Sequence, residues 1–325
     1  MSKMQKKALI IGITGQDGAF LAKYLLDHNY LVYRTSRDAE LSKFDSLVKL
    51  GIHGKVKLFS MSLIDFRSVF QVFLEIQPDE VYNLAGQTSV SLSFKLPVET
   101  LESISLGTLN ILEVLRLLKF KSKFYNASSS ECFGNTAGIP ANELTPFMPR
   151  SPYGVAKASS FWLVDNYRQA YNLFAASGIL FNHESYLRPS RFVTQKIITS
   201  VCDIANKKIS EFEIGNINIE RDWGWAPEYV VAMHSILQQE EPEDFIIATG
   251  NSISLKEFIV KTFEYFGLNY ENHLVVNEGL FRPTDIIISK ADPSKAKKIL
   301  KWEAKTNVDG VIKNMIEYKL NENSN

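Results

Sequence analysis

A tyrosine and a lysine stand four residues apart in the segment from Tyr153 to Lys157, which has a strongly helical pattern. Side chains at positions i and i+4 point from the same face of a helix. A phenol has a pKa of about 10 in water, but a nearby ammonium favours the phenolate. The pair is therefore a candidate base, although an ordinary amphipathic helix explains the same spacing about as well.

Hydroxyl groups and one carboxylate follow the predicted strand Ser122–Ala127, in the run Ser128–Glu131 upstream of this pair. Open α/β sheets bind their ligands beyond the carboxyl ends of the strands. This position makes Ser129 and Glu131 candidates for the same site as the tyrosine and the lysine. The alternative for Glu131 is a structural carboxylate that begins a helix after a serine run.

Three glycines, Gly12, Gly15 and Gly18, stand between an apolar strand-like run and a helical segment. Gly12 permits a tight turn, Gly15 lets the backbone approach a pyrophosphate, and Gly18 allows the helix to pack closely on the strand. The N-terminus of that helix offers N–H groups and a positive dipole end to an anion. The arrangement predicts dinucleotide binding; the alternative is a turn without a ligand.

The end of the second predicted strand helps to distinguish NAD from NADP, because NAD sites usually place a carboxylate there to accept from the ribose 2′-OH. In this chain Arg34 and Arg37 come before any acid. A 2′-phosphate favours a guanidinium and is repelled by a carboxylate. The stretch therefore favours NADP. In the alternative interpretation both arginines are solvated and Asp38 binds the ribose.

Short apolar runs alternate with longer helical patterns in the first half of the chain, which implies βαβ crossovers and a parallel sheet covered on both faces. The predicted strands are Ala8–Ile11, Leu31–Thr35, Val56–Met61, Glu80–Leu84, Ser122–Ala127 and Ala176–Phe181. The predicted helices are Gly18–Asn29, Phe66–Ile76, Glu99–Leu118 and Pro152–Tyr171. We expect one domain over residues 1–181 and a smaller α/β domain over 182–325, with part of 222–250 returning to the main sheet.

The composition is that of an ordinary globular protein, with 45% hydrophobic and 22% charged residues among 325. With 36 basic and 36 acidic side chains, the net charge gives no argument for nucleic acid or a membrane surface as partner. Two cysteines and five scattered histidines predict neither a disulfide framework nor a metal site. No apolar run has the length of a membrane helix and the N-terminus reads as a strand, so we expect a cytoplasmic location.

Short motifs along the whole chain occur in a specific order. They are Gly12-Ile-Thr-Gly-Gln-Asp-Gly18, Tyr82-Asn-Leu-Ala85, Ser128-Ser-Ser-Glu131, Ser151-Pro-Tyr-Gly-Val-Ala-Lys157, Leu180-Phe-Asn-His-Glu-Ser185, Arg221-Asp-Trp-Gly224, Glu241-Pro-Glu-Asp-Phe245, Ala248-Thr-Gly250 and Arg282-Pro283. Together they resemble the GDP-mannose 4,6-dehydratase family, within the extended short-chain dehydrogenases, from residue 7 to residue 315. The Tyr-x-x-x-Lys pair alone indicates only the superfamily, whereas Phe-Asn-His-Glu-Ser and Arg-Asp-Trp-Gly are far narrower.

The resemblance implies a Rossmann-type, doubly wound α/β fold with a smaller C-terminal α/β substrate domain, and an internal redox cycle. Tyr153 would take the proton of the sugar 4-OH while a hydride leaves C4 for NADP+. Lys157 would hold the nicotinamide ribose and lower the tyrosine pKa, and Ser129 would donate to the 4-oxygen. Glu131 would then remove the C5 proton, water would leave from C6, and the hydride would return to C6. Glu131 distinguishes this lyase reaction from simple dehydrogenation.

The resemblance also implies binding residues for the two ligands. The NADP contacts would be Gly12, Thr14, Gly15, Gln16, Asp17, Gly18, Arg37, Ser62, Leu63, Leu84, Ala85, Gly86, Lys157, His183 and Arg188. The contacts of the GDP-mannose-type nucleotide-sugar would be Ser129, Glu131, Tyr153, Asn182, Lys196, Arg221 and Arg282, with the arginines facing its diphosphate. Taken singly, each arginine could be a surface charge and the histidine a core residue.

The chain departs from the family pattern at several positions. Ser129 stands where the family usually has threonine, Ser62 replaces an aspartate near the adenine, and Arg188 is the one arginine kept from a longer basic motif. The basic loop after the second strand is shorter and contains Asp38 and Glu40. In the family this loop reaches a neighbouring subunit, so a homodimer is as well supported as a homotetramer.

Trp225 replaces the usual histidine after Arg-Asp-Trp-Gly. Near the hexose it would indicate a related substrate such as a GDP-manno-heptose. Two competing hypotheses concern the activity itself. One is a nucleotide-sugar epimerase or 4-dehydrogenase, which would need no base at C5, and the second is a non-catalytic NADP-binding regulator on the same scaffold.

Overall fold

The computed structural model of the chain describes residues 5–36 and 44–322. Arg37, Asp38 and Glu40, from the predicted 2′-phosphate loop, lie outside these residues. The strands are β1 (Lys7–Ile11), β2 (Leu31–Ser36), β3 (Lys57–Ser60), β4 (Glu80–Asn83), β5 (Lys123–Ser129), β6 (Ala175–Leu180), β7 (Asn182–Glu184), β8 (Phe212–Ile214), β9 (Glu220–Trp225), β10 (Phe245–Ile247), β11 (Ser252–Ser254) and β12 (Leu274–Val276). The α-helices are α1 (Gln16–Asp27), α2 (Asp45–Lys49), α3 (Phe66–Ile76), α4 (Val90–Lys95), α5 (Pro97–Leu101), α6 (Gly107–Leu118), α7 (Pro152–Tyr171), α8 (Val193–Ala205), α9 (Ala226–Leu237), α10 (Leu255–Glu264), α11 (Ser294–Ile299) and α12 (Val308–Glu322).

Seven strands form one parallel sheet in the order β10-β6-β5-β4-β1-β2-β3. The chain runs outward from β1 through β2 to β3, and then returns to the other side of β1 with β4. Ligands of open α/β sheets bind at such a reversal, outside the carboxyl ends of the strands. The predicted Rossmann-type, doubly wound fold is confirmed.

The central strands are buried on both faces because helices cover both faces. In β1, Ala8 and Ile10 enter a core shared with α1 and α9, whereas Leu9 and Ile11 enter a core shared with α3 and α6. Strands β5 and β6 are buried along almost their whole length. The alternation of side chains along each strand thus supplies two cores from one sheet.

Residues beyond 182 build most of a second, smaller unit. Strands β11, β9 and β7 form a three-stranded sheet in that order, and β12 pairs with β8. Apolar residues of α8, α10 and α12, such as Ile198, Phe258 and Ile312, form a third core. The chain returns to the main sheet at β10, which pairs with β6, and α9 packs in the main core. The domain boundary after residue 181 stays a prediction.

The predicted helix Glu99–Leu118 is interrupted. The structure has α5, a π-helical turn at Glu102–Leu106 and then α6. Ile104 of this turn packs against Gly86, where an added Cβ atom would lie 2.6 Å from the isoleucine side chain. A π turn widens a helix locally and often occurs near functional sites. Here it brings an apolar side chain onto the loop that follows β4.

Within residues 5–36 and 44–322, no helix combines the length and apolar character needed to cross a membrane. The same residues contain no group of three or more His, Cys, Asp or Glu side chains arranged to hold a metal ion.

Candidate active site

A cavity of about 380 Å³ lies at the carboxyl ends of the central strands, and residues from both halves of the chain line it. It brings together the four predicted catalytic residues, Ser129, Glu131, Tyr153 and Lys157. It also contains the remaining predicted nucleotide-sugar contacts, Asn182, Lys196, Arg221 and Arg282. Of the predicted cofactor contacts, four more lie on its wall, namely Asp17, Leu84, His183 and Arg188.

Helix α7 presents Tyr153 and Lys157 from one buried face. The helix begins with Pro152, a favoured first residue, and the Ser151 hydroxyl accepts a backbone N–H of the first turn at 3.0 Å. The Lys157 ammonium donates to the Ala127 carbonyl oxygen at 2.7 Å and lies 5.9 Å from the centre of the tyrosine ring. The carbonyl near the end of β5 therefore fixes the lysine beside the phenol.

Burial governs the proton affinities of this pair. It lowers the pKa of Lys157 to about 8, because low-dielectric surroundings disfavour the ammonium. It raises the pKa of Tyr153 above the ordinary value, and the hydrogen bond with the Ser129 hydroxyl opposes that rise. A phenolate here therefore requires positive charge beyond the hydrogen bond, which the ammonium and a nicotinamide would supply.

Glu131 lies in the 3-10 turn Ser130–Cys132, directly after β5. Ser129 caps this turn, because its hydroxyl accepts the Glu131 N–H at 3.3 Å, and the Glu131 side chain lines the cavity. Burial raises the pKa of this carboxyl group, while the charges of Arg221 and Arg282 lower it. A carboxylate with a raised pKa in a cleft is chemically suited to act as a general base.

The turn between β1 and α1 requires glycine at two positions. Gly12 has φ of +92°, and an added Cβ atom would lie 2.7 Å from the Leu84 carbonyl carbon. A Cβ atom on Gly18 would lie 2.5 Å from the Gly12 carbonyl oxygen. Helix α1 starts at Gln16, and its N-cap, Gly15, has no side chain to occupy the first N–H groups. The cradle fits the pyrophosphate of a dinucleotide.

Two predicted cofactor residues, Asp17 and His183, bond to each other. The His183 Nε2 atom lies 2.9 Å from Asp17 Oδ2, its Nδ1 atom lies 2.7 Å from the Phe181 carbonyl oxygen, and its ring stacks on Tyr229 at 4.4 Å. Burial disfavours both charged forms, but the attraction within the pair outweighs it, so the pKa of Asp17 is lowered and that of His183 is raised. When His183 is protonated, its charge offsets the Asp17 carboxylate, which would otherwise repel an anion at the start of α1.

Gln16 and Arg188 make protein contacts beside the same cleft. The Gln16 side chain donates to the His183 carbonyl oxygen at 3.1 Å and accepts from the Ser185 hydroxyl at 2.7 Å, which joins α1 to the segment at β7. The Arg188 Nε atom donates to a Glu184 carboxylate oxygen at 2.9 Å. Both side chains thus hold the cleft together through protein contacts.

The other predicted cofactor contacts lie around the turn. The backbone of Ala85, the residue before Gly86, packs against Gly12. Thr14 is exposed. Ser62 and Leu63 follow β3 outside the cavity wall, and the Leu63 carbonyl oxygen accepts from the Asn110 side chain at 2.7 Å.

Arg34 lies near the end of β2 and is 4% exposed. Its guanidinium carbon lies 3.7 Å from the centre of the Phe44 ring. Its Nε and Nη1 atoms are buried and have no hydrogen-bond partner in the described part of the chain. Unused buried donors of this kind are rare, and they fit an anion better than a neutral hydroxyl.

Arg221 and Arg282 converge on one carboxylate in the cavity, that of Asp285, at 3.5 and 3.6 Å. The Arg221 atom in this ion pair, Nη2, is buried and donates no hydrogen bond among residues 5–36 and 44–322. Two neighbouring guanidinium groups fit a diphosphate.

Sequence reasoning missed part of the cavity wall. The loop after β4 contributes Thr88 and Ser89, helix α4 contributes Ser91, and Asp285 and Trp223 lie near the arginines. The signal for the hydroxyl groups was their position a few residues after the Tyr-Asn-Leu-Ala motif, beyond the carboxyl end of a central strand.

Trp225 does not support a heptose substrate. It ends β9, lies outside the cavity wall, and packs on the third core and on the Tyr186 ring, whose centre is 6.2 Å away. Trp223, two residues earlier, is the tryptophan that lines the cavity.

Comparison with known proteins identifies the family. The profile described as GDP-mannose 4,6 dehydratase matches residues 9–315. The curated GDP-mannose 4,6 dehydratase of Cricetulus griseus is 41% identical, over 97% of this chain and 91% of the relative. The curated GDP-mannose 4,6-dehydratase of Sinorhizobium fredii is 37% identical, over 97% of each.

Solved structures share the fold at lower identity. The UDP-glucose 4-epimerase of Thermotoga maritima has a TM-score of 0.84 and 22% identity, over 97% of this chain and 99% of that one. The dTDP-glucose 4,6-dehydratase of Bacillus anthracis, solved in complex with NAD, has a TM-score of 0.84 and 18% identity, over 98% of both chains. Because the family profile spans nearly the whole sequence and curated relatives reach 41% identity, the chain belongs to the GDP-mannose 4,6-dehydratase family of hydro-lyases.

Proposed function

We propose that this chain is an NADP-dependent GDP-mannose 4,6-dehydratase, which converts a GDP-mannose-type sugar to its 4-keto-6-deoxy product. The observation that carries the proposal is the Glu131 carboxylate in one cavity with the Tyr153 phenol and the Lys157 ammonium. A 4-dehydrogenase needs no base at C5. The additional carboxylate therefore favours elimination of water over simple oxidation.

The glycine cradle and Arg34 support NADP as the cofactor. When bound, a nicotinamide supplies the acceptor for a sugar hydride and the donor that returns it. The N-terminus of α1 holds the pyrophosphate, and the Asp17–His183 pair keeps the nearby charge balanced. The unused donors of Arg34, together with Arg37, select for the 2′-phosphate.

Oxidation at C4 depends on three side chains of the cavity. Tyr153 accepts the proton of the sugar 4-OH, and Ser129 holds the 4-oxygen through its hydroxyl. The Lys157 ammonium, fixed by the Ala127 carbonyl oxygen, stabilises the phenolate.

Elimination depends on Glu131. The C4 ketone acidifies the neighbouring C5–H bond, and the Glu131 carboxylate removes that proton. The protonated carboxyl group then donates to the departing C6 hydroxyl, which leaves as water. When the hydride returns to C6, C5 gains a proton and the Tyr153 phenol releases the proton that it took from the 4-OH, so the cycle closes. Burial makes this carboxylate a stronger base than a solvated one, and the charges of Arg221 and Arg282 oppose that rise in its pKa.

The diphosphate of the substrate binds Arg221 and Arg282, with Lys196 and Asn182 on the neighbouring wall. A cofactor domain over residues 1–181, a mainly substrate-binding domain over 182–325, a homodimer or homotetramer, and a cytoplasmic location complete the proposal.

The test is incubation of the protein with GDP-mannose and a catalytic amount of NADP+, with NAD+ in a parallel reaction. We expect a product lighter by one water, no net NADPH, and faster turnover with NADP+. Stoichiometric NADPH would indicate a 4-dehydrogenase, and a product of unchanged mass an epimerase. Cofactor binding without turnover of any nucleotide-sugar would indicate a regulator. GDP-manno-heptose in the same assay tests the sugar.

A further inference from the structure

The Arg-Asp-Trp-Gly segment of β9 contains a fully buried acid, Asp222, which is 0% exposed. One carboxylate oxygen accepts the Thr249 N–H at 3.0 Å and the other accepts the Gly250 N–H at 2.8 Å. These two N–H groups belong to the turn that follows β10, the edge strand of the main sheet. The carboxylate thus ties a strand of the small sheet to the large one.

The two faces of β9 have different partners. Arg221 and Trp223 line the cavity, whereas Asp222 and Gly224 lie outside its wall, as the alternation of a strand requires. Gly224 has no space for a side chain, because an added Cβ atom would lie 2.4 Å from the Tyr229 ring. The tyrosine ring in turn stacks on His183 of the cofactor cleft. One face of the strand therefore contacts the cavity and the other fixes the strand in place.

The ionised Asp222 carboxylate lowers the free energy of unfolding at neutral pH. Burial raises the pKa of Asp222 to about 6, and the backbone N–H groups of the turn only partly oppose this. At neutral pH the group is therefore ionised in surroundings that favour its neutral form. The titratable group that faces it from α9 is the Tyr229 phenol, whose pKa burial raises well above the ordinary value. The Thr249–Gly250 turn offers N–H donors, and β11 offers Ser252, its partner in the strand pairing.

We propose that Asp222 is a positioning residue for nucleotide-sugar binding: by fixing β9 to the Thr249–Gly250 turn, it holds Arg221 and Trp223 in their places in the cavity. The inference rests on the proposed function, because it takes Arg221 as a diphosphate contact. In the Arg-Asp-Trp-Gly motif, Arg221 and Trp223 would then face the substrate, whereas Asp222 and Gly224 would fix the strand from its other face.

Asp222→Asn tests this directly. The amide oxygen can accept a hydrogen bond from only one of the Thr249 and Gly250 N–H groups, and the amide NH2 group then faces the other N–H, which is also a donor. The matched control is Glu220→Gln, the same change of acid to amide on the same strand, where the side chain is partly exposed and pairs with Lys290. Dissociation constants for GDP-mannose and for NADP+ are measured separately by calorimetry on the full chain. We expect Asp222→Asn to weaken GDP-mannose binding by about tenfold or more, with NADP+ binding unchanged and the control like the wild type.

The wild type provides a second test that needs no variant. Acidification through about pH 6 protonates Asp222, so the GDP-mannose dissociation constant should rise, and in Asp222→Asn this rise should be absent. Protonation of Glu131 has the opposite effect, because it removes negative charge beside the diphosphate. GDP-mannose serves as the probe because its diphosphate, esterified at both ends, does not titrate in this range.

Unchanged GDP-mannose affinity in a folded Asp222→Asn protein would overturn the inference, as would equal losses for both ligands, which mark general destabilisation. If the variant does not fold, the pH profile is measured in Glu131→Gln, which lacks the opposing protonation, and a GDP-mannose dissociation constant that is flat from pH 7 to pH 5 in that protein would overturn the inference. A wild type that turns over GDP-mannose and fails these tests refutes the positioning role alone. A wild type that does not bind GDP-mannose refutes the proposed function and this inference with it.

Discussion

Replacing Glu131 with glutamine should separate the two halves of the proposed reaction. The change keeps the size of the side chain but removes its ability to accept a proton. Tyr153 and Lys157 are on α7, a different element, so oxidation at C4 should continue while removal of the C5 proton stops.

The structure sets the expected magnitudes. A positioned general base contributes about 10²–10⁴-fold, so turnover should fall by that factor, equivalent to about 3–5 kcal/mol in the elimination barrier. The carboxylate is also a charge partner of Arg221 and Arg282. Its loss leaves more positive charge for the substrate diphosphate, and KM should stay equal or decrease.

The assay is a single turnover with GDP-mannose, followed by NADPH absorbance and by mass spectrometry. In Glu131→Gln we expect bound NADPH to accumulate and the water-loss product to be nearly absent. Glu99→Gln, an exposed acid on α5, is the control and should behave as the wild type. Turnover of Glu131→Gln within about threefold of the wild type would remove this residue from the mechanism.

Three further changes test other parts of the site. Trp225→His should alter kcat and KM for GDP-mannose by less than about twofold, since the side chain lies outside the cavity wall; a larger kinetic effect would return this position to the sugar. Lys157→Met should abolish turnover yet raise the free energy of unfolding at pH 7 by at most about 3 kcal/mol, because burial lowers the lysine pKa to about 8. In urea unfolding, this gain in the free energy of unfolding should decrease from pH 8 to pH 10.5, because folded wild-type protein then has a neutral Lys157. A lower free energy of unfolding for Lys157→Met at pH 7 would contradict the prediction. Asp17→Asn should lower Tm most between pH 3.8 and pH 6.5. The lowered pKa of Asp17 contributes stability that is lost in acid, and the raised pKa of His183 contributes stability that is lost in base. A Tm difference that does not depend on pH would argue against the ion pair.

Local patterns predicted the elements that carry the chemistry. The helices Phe66–Ile76 and Pro152–Tyr171 have the predicted bounds, and β1 begins one residue earlier than predicted. Glycine spacing and helical periodicity depend on neighbours within a few residues, so one sequence is enough to read them.

Features that depend on distant contacts could not be read in this way. The environment of Trp225 is set by Tyr186 and by the third core, which no local pattern encodes. The π turn in the predicted helix Glu99–Leu118 contains Ile104, which packs on Gly86 of a distant loop. The acid of Arg-Asp-Trp-Gly likewise acquires its role from a turn that follows another strand.

The position of β10 at the edge of the main sheet bears on how the chain is made. During synthesis, β6 leaves the ribosome with no partner on its outer side until residues 245–247 have emerged. An unpaired strand edge is a template for pairing with another chain. We therefore expect a nascent chain that already contains the glycine turn and the Tyr–Lys pair to be prone to aggregation until β10 pairs with β6.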